Sequence, residues 1–130
     1  MSNTEASQAR LEKWEPGPTV HGHNFGEAAS SLQKCCRRGL ESDALYWAVQ
    51  LDRSGYGEVA FSRLRVIAME DVGTADPDCI VRVEALYGTW TDLRKKKGKQ
   101  QPERLALVMA TMVCARAAKS REVDHALLAY

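Results

Sequence analysis

The sequence predicts an all-α protein, a single compact bundle of about five to six helices preceded by an irregular N-terminal tail. From Glu27 onward, apolar residues repeat every three to four positions, which is the period of an amphipathic helix. Glycine, serine and proline interrupt this repeat at intervals of helical length. No segment alternates apolar and polar residues between hairpin turns, as a half-buried strand would. We therefore divide the chain into a tail at 1–26 and a helical domain at 27–130.

Helix-ending glycines and serines define the first three helices. The first is predicted from Glu27 to Arg38 and ends at Gly39, which suits a C-terminal cap. Ser42 is the expected cap of the second helix, which ends before Gly55. The third runs from about Glu58 to Glu70. The second and third helices are each expected to bury one apolar face. These faces consist of Ala44, Trp47, Ala48 and Leu51 in the second helix and of Ala60, Leu64, Ile67 and Ala68 in the third.

The fourth helix has the clearest start signal. Gly73 closes the preceding helix, the carboxylate of Asp76 is expected to accept hydrogen bonds from the first helical N–H groups, and Pro77 fits the first helical position. Pro102 begins a fifth helix, and Ser120 can cap a sixth that carries Val123, Leu127 and Tyr130. The expected inward-facing residues are Ile80, Val83, Tyr87 and Trp90 in the fourth helix, and Leu105, Val108, Met109, Met112 and Val113 in the fifth.

Composition limits what the chain can bind and where it acts. It has 130 residues, 45% hydrophobic and 27% charged, with a formal net charge of +1. A polyanion would therefore need a local basic patch rather than the whole surface. No run of eighteen apolar residues occurs, and Met1 to Lys13 lacks the apolar stretch of a signal peptide. We expect a cytoplasmic protein with no membrane partner.

The four cysteines give no sign of a redox or zinc site. Cys35 and Cys36 are adjacent, Cys79 and Cys114 are isolated, and no C-x-x-C pair exists. This pattern excludes zinc-ribbon and thioredoxin-type sites. We expect the four side chains to act as small buried hydrophobic groups.

No constellation of catalytic or metal-binding residues is evident. The nucleotide-binding loop G-x-x-x-x-G-K-[ST] is absent, as are the G-x-S-x-G and H-E-x-x-H motifs. Glu70 and Asp71 are adjacent acids, but neighbouring helical positions point about 100° apart and would not flank one substrate atom. His21, His23 and His125 lie in unrelated segments, which is more typical of solvated side chains than of a metal site. We predict no enzymatic activity, no cofactor and no metal.

A basic loop is predicted from Lys95 to Gln101. Five cations occupy six positions here: Arg94, Lys95, Lys96, Lys97 and Lys99. Such a run is most often a solvated loop, yet it could also neutralise several phosphates, and Trp90 lies just upstream. The alternative function is therefore a small DNA-binding accessory protein that uses residues 94–99.

Four segments resemble the C-terminal domain of the RarA/MgsA family of replication-associated AAA+ ATPases, whose eukaryotic relatives interact with Werner helicase. Residues 44–47 read A-L-Y-W, like the start of that domain's second helix. Residues 63–77 resemble the family stretch R-L-x-R-x-A-S-E-D-I-G-L-A-D-P. Residues 31–34 and 115–120 are similar to its S-A-L-H-K and A-x-A-P-K-S segments. The resemblance covers about residues 25–130.

This resemblance implies an all-α domain that forms homotetramers. In the family, this domain follows an ATPase motor that is related to clamp loaders, and the whole proteins act at damaged replication forks. The residues that the resemblance marks as scaffold and assembly residues are Tyr46, Trp47, Glu70, Asp71, Gly73, Asp76, Pro77, Lys119 and Ser120. The sequence departs from the family in lacking the nucleotide-binding portion, in a longer basic loop, and in Ala118 where the family has proline.

We therefore expect a free-standing, non-catalytic assembly module. Its expected partners are copies of itself and a RarA-like ATPase or another replication protein. Single-stranded or forked DNA is a further candidate ligand. Because Tyr46 and Trp47 are adjacent on a helix, they cannot both face one core, so one of them is expected to meet another helix layer or another subunit.

Overall fold

Six α-helices make up most of the computed structural model, which describes residues 17–96 and 100–130. The described residues contain no β-strand, so the predicted all-α class is confirmed. A π-helical turn, Ala68–Val72, and a 3-10 turn, Gly73–Ala75, join the third and fourth helices. The helices are α1 (Phe25–Arg37), α2 (Glu41–Arg53), α3 (Gly57–Ile67), α4 (Asp78–Arg94), α5 (Glu103–Arg116) and α6 (Glu122–Ala129).

The helix ends follow local chemistry and lie within one to three residues of the prediction; the largest displacement is in the third helix, which ends at Ile67 rather than at about Glu70. The side chain of Asn24 accepts a hydrogen bond from the N–H of Glu27 at 3.1 Å, so α1 begins at Phe25 rather than at Glu27. At the other end of α1, Gly39 has a φ of +70°, a conformation that glycine adopts without steric penalty. This confirms Gly39 as the residue that ends the first helix.

The N-terminal caps predicted for α2 and α4 are wrong. The N-cap position of α2 is Leu40, which makes no side-chain cap, and Ser42 lies inside the first turn. The carboxylate of Asp76 also makes no cap hydrogen bond in the described residues and instead lies 3.6 Å from Nη1 of Arg82. Pro77 directly precedes α4, whose assigned helix begins at Asp78. A nearby arginine thus competes with the helix N–H groups for this acid.

The core is centred on the side chain of Phe61 on α3. Its ring lies 5.3 Å from that of Trp90 and 5.4 Å from that of Tyr87, both on α4. All residues predicted to face inward on the second, third and fourth helices lie in this core or pack against it. Other completely buried large residues are Leu32, Leu51, Leu64, Ile67, Val72, Val83 and Leu107.

The inward face predicted for the fifth helix is wrong for Leu105 and Met109, although Val113 packs against the core as predicted. Leu105 is 73% exposed and Met109 57% exposed, whereas Val108, Met112 and Val113 are half-buried. The buried face of α5 consists of smaller or differently placed residues: Ala106, Leu107, Ala110, Thr111, Cys114 and Ala115. Alanines at this face let α5 lie close to α4, the helix against which it packs most extensively.

Two ion pairs between α5 and α2 show the direction of α5 relative to α2. Nε of Arg104 lies 2.6 Å from Oδ2 of Asp52, near the end of α2, and Nε of Arg116 lies 2.5 Å from Oε1 of Glu41, at its start. Helices α2 and α5 are therefore antiparallel. The last helix, α6, packs on the two turns that follow α3 and has no buried residue.

Three of the four cysteines are completely buried, as predicted: Cys36, Cys79 and Cys114. Cys35 is half-buried, and all four are free thiols. Burial raises the pKa of Cys36 to about 12, so this thiol stays protonated and unreactive at neutral pH.

None of the described helices combines the length and the apolar character that crossing a membrane requires.

Candidate functional site

Asp71 forms the centre of a polar network on the π-helical turn, and its side chain is completely buried. Nε of Arg37 donates to Oδ1 of Asp71 at 3.0 Å, and Nη1 of Arg121 donates to the same oxygen. Nε2 of Gln33 donates to the other oxygen at 3.4 Å. A buried carboxylate is unfavourable unless it is paired and hydrogen-bonded, so these three donors explain why the fold tolerates this acid.

The same network holds the start of α6 against the turn. The backbone N–H of Ser120 donates to the carbonyl oxygen of Asp71 at 2.8 Å, and Oγ of Ser120 accepts from the N–H of Glu122 at 3.2 Å. Ser120, predicted to cap α6, is not its N-cap, because that position is Arg121, which makes no side-chain cap; Ser120 contributes from one residue earlier. A Cβ on Gly73 would lie 3.0 Å from Val123, so this glycine, with a φ of +51°, allows the close approach of α6.

Arg121 makes two more ion pairs in this network, and Lys119 binds the end of α5. Arg121 lies 3.4 Å from Oε1 of Glu70 and 2.8 Å from Oδ2 of Asp124. Nζ of Lys119 donates to the carbonyl oxygen of Ala115, near the C-terminus of α5, at 3.1 Å. Glu70, Asp71, Gly73, Lys119 and Ser120, predicted as scaffold residues, thus lie together.

This network does not have the arrangement of an acid–base pair. Asp71 is held by two arginines, and Glu70 is partly exposed and shares one of them. The hydrogen bond to Asp71 raises the pKa of Arg121, which keeps the guanidinium charged. The partners Gln33, Arg37 and Arg121 were not predicted, because they lie more than thirty residues from Asp71 in sequence.

Tyr46 and Trp47 lie apart from this network and contact the segment before α1. Nε2 of His23 and the hydroxyl of Tyr46 are hydrogen-bonded at 2.6 Å, and the His23 ring lies 4.8 Å from that of Trp47. Trp47 also packs against the core, whereas Tyr46 is 43% exposed. The aromatic pair therefore joins the polypeptide before α1 to α2. In the residues described, no group of three or more His, Cys, Asp or Glu is placed to hold a metal.

The basic segment divides between a helix and a loop. The guanidinium of Arg94, at the end of α4, lies 4.2 Å above the ring of Trp90. Trp90 itself is only 2% exposed, so it is not free to stack on a nucleic-acid base. Lys95 and Lys96 are exposed, and Lys97 and Lys99 lie outside the described residues.

The first of two apolar surfaces runs along α5. Leu105, Met109 and Met112, here named the α5 stripe, lie on the side of the helix opposite to Leu107 and Cys114. Leu105 and Met109 have most of their side chains in solvent. Exposed apolar side chains are common singly, but a row of them on one helix face is typical of an interaction surface.

The second apolar surface is a groove between α6 and the end of α3. Val66 and Met69 form one wall and Val123 and Leu127 the other, while Glu70 and Asp124 line its rim. These residues are named the α6 groove. Leu127 is 77% exposed and Met69 50% exposed, so the described chain leaves the groove largely open. Sequence periodicity correctly placed Leu127 on the last helix. It could not show that this helix buries none of its residues in the core.

Comparison with known proteins gives one family and similar bacterial relatives. The family described as MgsA AAA+ ATPase C terminal matches residues 41–129. Replication-associated recombination protein A of Coxiella burnetii is 33% identical over 107 residues, which is 81% of this chain and 23% of that protein. The protein of the same name from Haemophilus influenzae is 35% identical over 92 residues, 62% of this chain and 19% of its own length. The chain thus spans less than a quarter of the length of these relatives.

Proposed function

The chain belongs to the family of MgsA AAA+ ATPase C-terminal domains, and we propose that it is a non-catalytic module that assembles with copies of itself. The observation that carries this proposal is the pair of exposed apolar surfaces, the α5 stripe and the α6 groove. Leu105, Met109 and Leu127 each leave more than half of their side chain in water. Burying such side chains stabilises an interface by roughly 25 cal/mol for each Å² of apolar surface removed from water.

Five of the residues marked by the family resemblance, those of the network around Asp71, support this role by positioning α6: Glu70, Asp71, Gly73, Lys119 and Ser120. The network around Asp71 fixes α6 on the turn after α3, and α6 supplies one wall of the groove. These residues therefore act by shaping a surface rather than by touching a substrate. The partner we propose besides self is a RarA-like ATPase or another replication protein in the cytoplasm, since the relatives are named for replication-associated recombination.

Solution mass tests this proposal directly. By light scattering on a sizing column, we expect a homotetramer with four times the chain mass of 14.4 kDa. Replacing Leu105 and Met109 together by glutamate should give a monomer, because burying two carboxylates in an apolar contact is strongly unfavourable. The matched control is Val81→Glu on α4, which is 65% exposed and belongs to neither surface, and it should remain tetrameric.

A wild-type protein that stays monomeric at tens of micromolar, and that captures no ATPase or other replication protein in a pull-down, would contradict the assembly proposal. Retained assembly in the Leu105 and Met109 double variant would show that the α5 stripe is not the contact.

A DNA-binding accessory role is the second candidate, and the exposed lysines at the end of α4 favour it. Lys95 and Lys96 form no salt bridge within the described residues, and no acid occurs from residue 94 to 99. Cations without acidic partners are available to displace counterions from phosphates. The burial of Trp90 limits this binding to the backbone, without base stacking.

Charge reversal tests that candidate. Lys95→Glu with Lys96→Glu should weaken binding to single-stranded DNA by at least about tenfold in fluorescence anisotropy, and the salt dependence should become shallower. The matched control is Arg38→Glu with Arg53→Glu, which changes the net charge equally at two other exposed cations. Equal loss in both variants would mean that total charge, rather than this segment, attracts DNA.

A further inference from the structure

We infer that the α6 groove binds an amphipathic helix of a different protein, with apolar side chains along one face and lysines or arginines beside them. This inference rests on the part of the proposed function that names a partner besides self, and it gives that partner a binding site and a chemical character. Many proteins bind a partner helix in a groove of apolar side chains, where the helix is anchored by residues about one turn apart.

The groove is apolar and largely open within the described chain. Helix α6 buries none of its residues, and its groove-lining Val123 and Leu127 are 41% and 77% exposed. Met69 on the facing wall is 50% exposed. The groove holds about 190 Å³, which is less than the roughly 300–1,000 Å³ of a typical small-molecule site. It therefore suits one or two apolar side chains of a partner protein better than a separate small ligand.

The length of α6 matches about two turns of a partner helix. Helix α6 has 8 residues and is therefore about 12 Å long. A partner helix that lies along it presents apolar residues at positions i, i+3 or i+4, and i+7, which span about 10 Å. Such a row is long enough to contact Val123 and Leu127 on one wall and Met69 on the other.

The charges at the groove favour a basic partner helix. Glu70 and Asp124 line the groove, and no cation is among the described residues that line it. Both acids share Arg121, which lies 3.4 Å from Glu70 and 2.8 Å from Asp124 and also pairs with the buried Asp71. Asp71 has one further cationic partner, Arg37, so three carboxylates face two arginines. The rim keeps a surplus of negative charge, which complements lysines or arginines beside the apolar row of a partner.

The described helices of this chain do not offer a complementary basic row. Apart from the elements that form the groove, only α5 among them has exposed large apolar side chains one turn apart, Leu105 and Met109. Both arginines of that helix, Arg104 and Arg116, are already paired with acids of α2, at 2.6 and 2.5 Å. A helix with unpaired cations beside its apolar row is therefore expected from another protein rather than from a second copy.

Peptide binding to the full chain tests the inference, with fluorescence anisotropy as the measurement. The two labelled peptides have about 15 residues each, and both carry leucines at positions i, i+3 and i+7. In the basic peptide lysines flank the leucines, and in the acidic peptide glutamates replace those lysines. We expect the wild type to bind the basic peptide at least about tenfold more tightly than the acidic one, because like charges at a contact are unfavourable.

Two matched double variants locate the bound peptide. The groove variant, Met69→Gln with Leu127→Gln, should bind the basic peptide at least about tenfold more weakly, because it removes apolar contacts without changing the charge. The stripe variant, Leu105→Gln with Met109→Gln, should bind it as the wild type does. All four side chains are at least half exposed, so both variants should keep the wild-type helical circular dichroism. Glu70→Gln should weaken binding by about twofold to fivefold, the usual effect of one exposed charge pair.

Each other outcome overturns the inference, and its failure can be told apart from failure of the proposed self-assembly. If the groove variant binds the basic peptide as tightly as the wild type, the groove is not the site. Equal affinity for the acidic and basic peptides would mean that the partner is not selected by charge. A groove variant that no longer assembles would show that a second copy occupies the groove. If the wild type assembles but binds neither peptide, only this inference fails, whereas a monomeric wild type that binds the basic peptide removes self-assembly alone.

Discussion

Replacing Asp71 by alanine is expected to destabilise the fold by about 3 kcal/mol, the lower end of the range for breaking a buried ion pair. The change removes the acceptor for Arg37, Arg121 and Gln33 and leaves a gap in a completely buried position. The lower end applies because the two arginines are 43% and 37% exposed and can be rehydrated. Urea denaturation followed by circular dichroism measures the change, and the melting temperature should fall by roughly 10 °C.

The control for this variant is an ion pair on the surface. Arg65 and Glu84 lie 2.5 Å apart, but both are more than 40% exposed, so Glu84→Ala should change the free energy of unfolding by less than about 1 kcal/mol. Equal effects of the two substitutions would show that the buried network is not what fixes α6. Asp71→Asn should fall between them, since the amide keeps one acceptor but loses the charge.

Replacing Gly57 by alanine is expected to destabilise the protein by about 2 kcal/mol, because the new methyl group has no space. Its Cβ would lie 2.6 Å from Cζ2 of Trp90 and 2.7 Å from Oδ1 of Asp52. Neither neighbour can move easily. The indole is packed between Phe61 and Arg94, and Asp52 is held by Arg104 at 2.6 Å. Thermal unfolding monitored by circular dichroism measures the loss.

The matched glycine, Gly88, should respond in the opposite direction. It lies inside α4, and a Cβ there would meet nothing within 4 Å. Gly88→Ala should therefore stabilise the protein by about 0.5–1 kcal/mol, the usual gain from replacing glycine in an exposed helix. A stabilising effect at Gly57 as well would mean that Trp90 is not packed against the start of α3 as the structure has it.

The prediction succeeded where the information lies within a few residues. Helix period, the glycines after the helices and the start near Ser120 depend on local backbone preferences, and all appear in the structure. The predicted N-terminal caps at Ser42 and Asp76 were wrong for a physical reason. A serine or aspartate side chain can bond to the helix or to another group within reach, and Asp76 lies beside Arg82 instead.

The orientation of α5 was decided by its neighbours. Its residues from Leu105 to Cys114 are almost all apolar, so the sequence pattern does not single out one face. In the structure, close packing against α4 and α2 selects the face with Ala106 and Ala110, where small side chains let the helices approach. The larger Leu105 and Met109 are left outside, and they form the surface on which the proposed function depends.

The sequence by itself therefore determined the helical class, the order of the elements and the family, since these depend on local propensity and on an ordered set of short motifs. Only the tertiary structure decided which residues face solvent and which distant groups meet. Asp71 obtains its charge partners from α1 and from the start of α6, 34 and 50 residues away. Such pairs form only when whole helices pack together. No single segment of the sequence shows which distant side chain will become its partner.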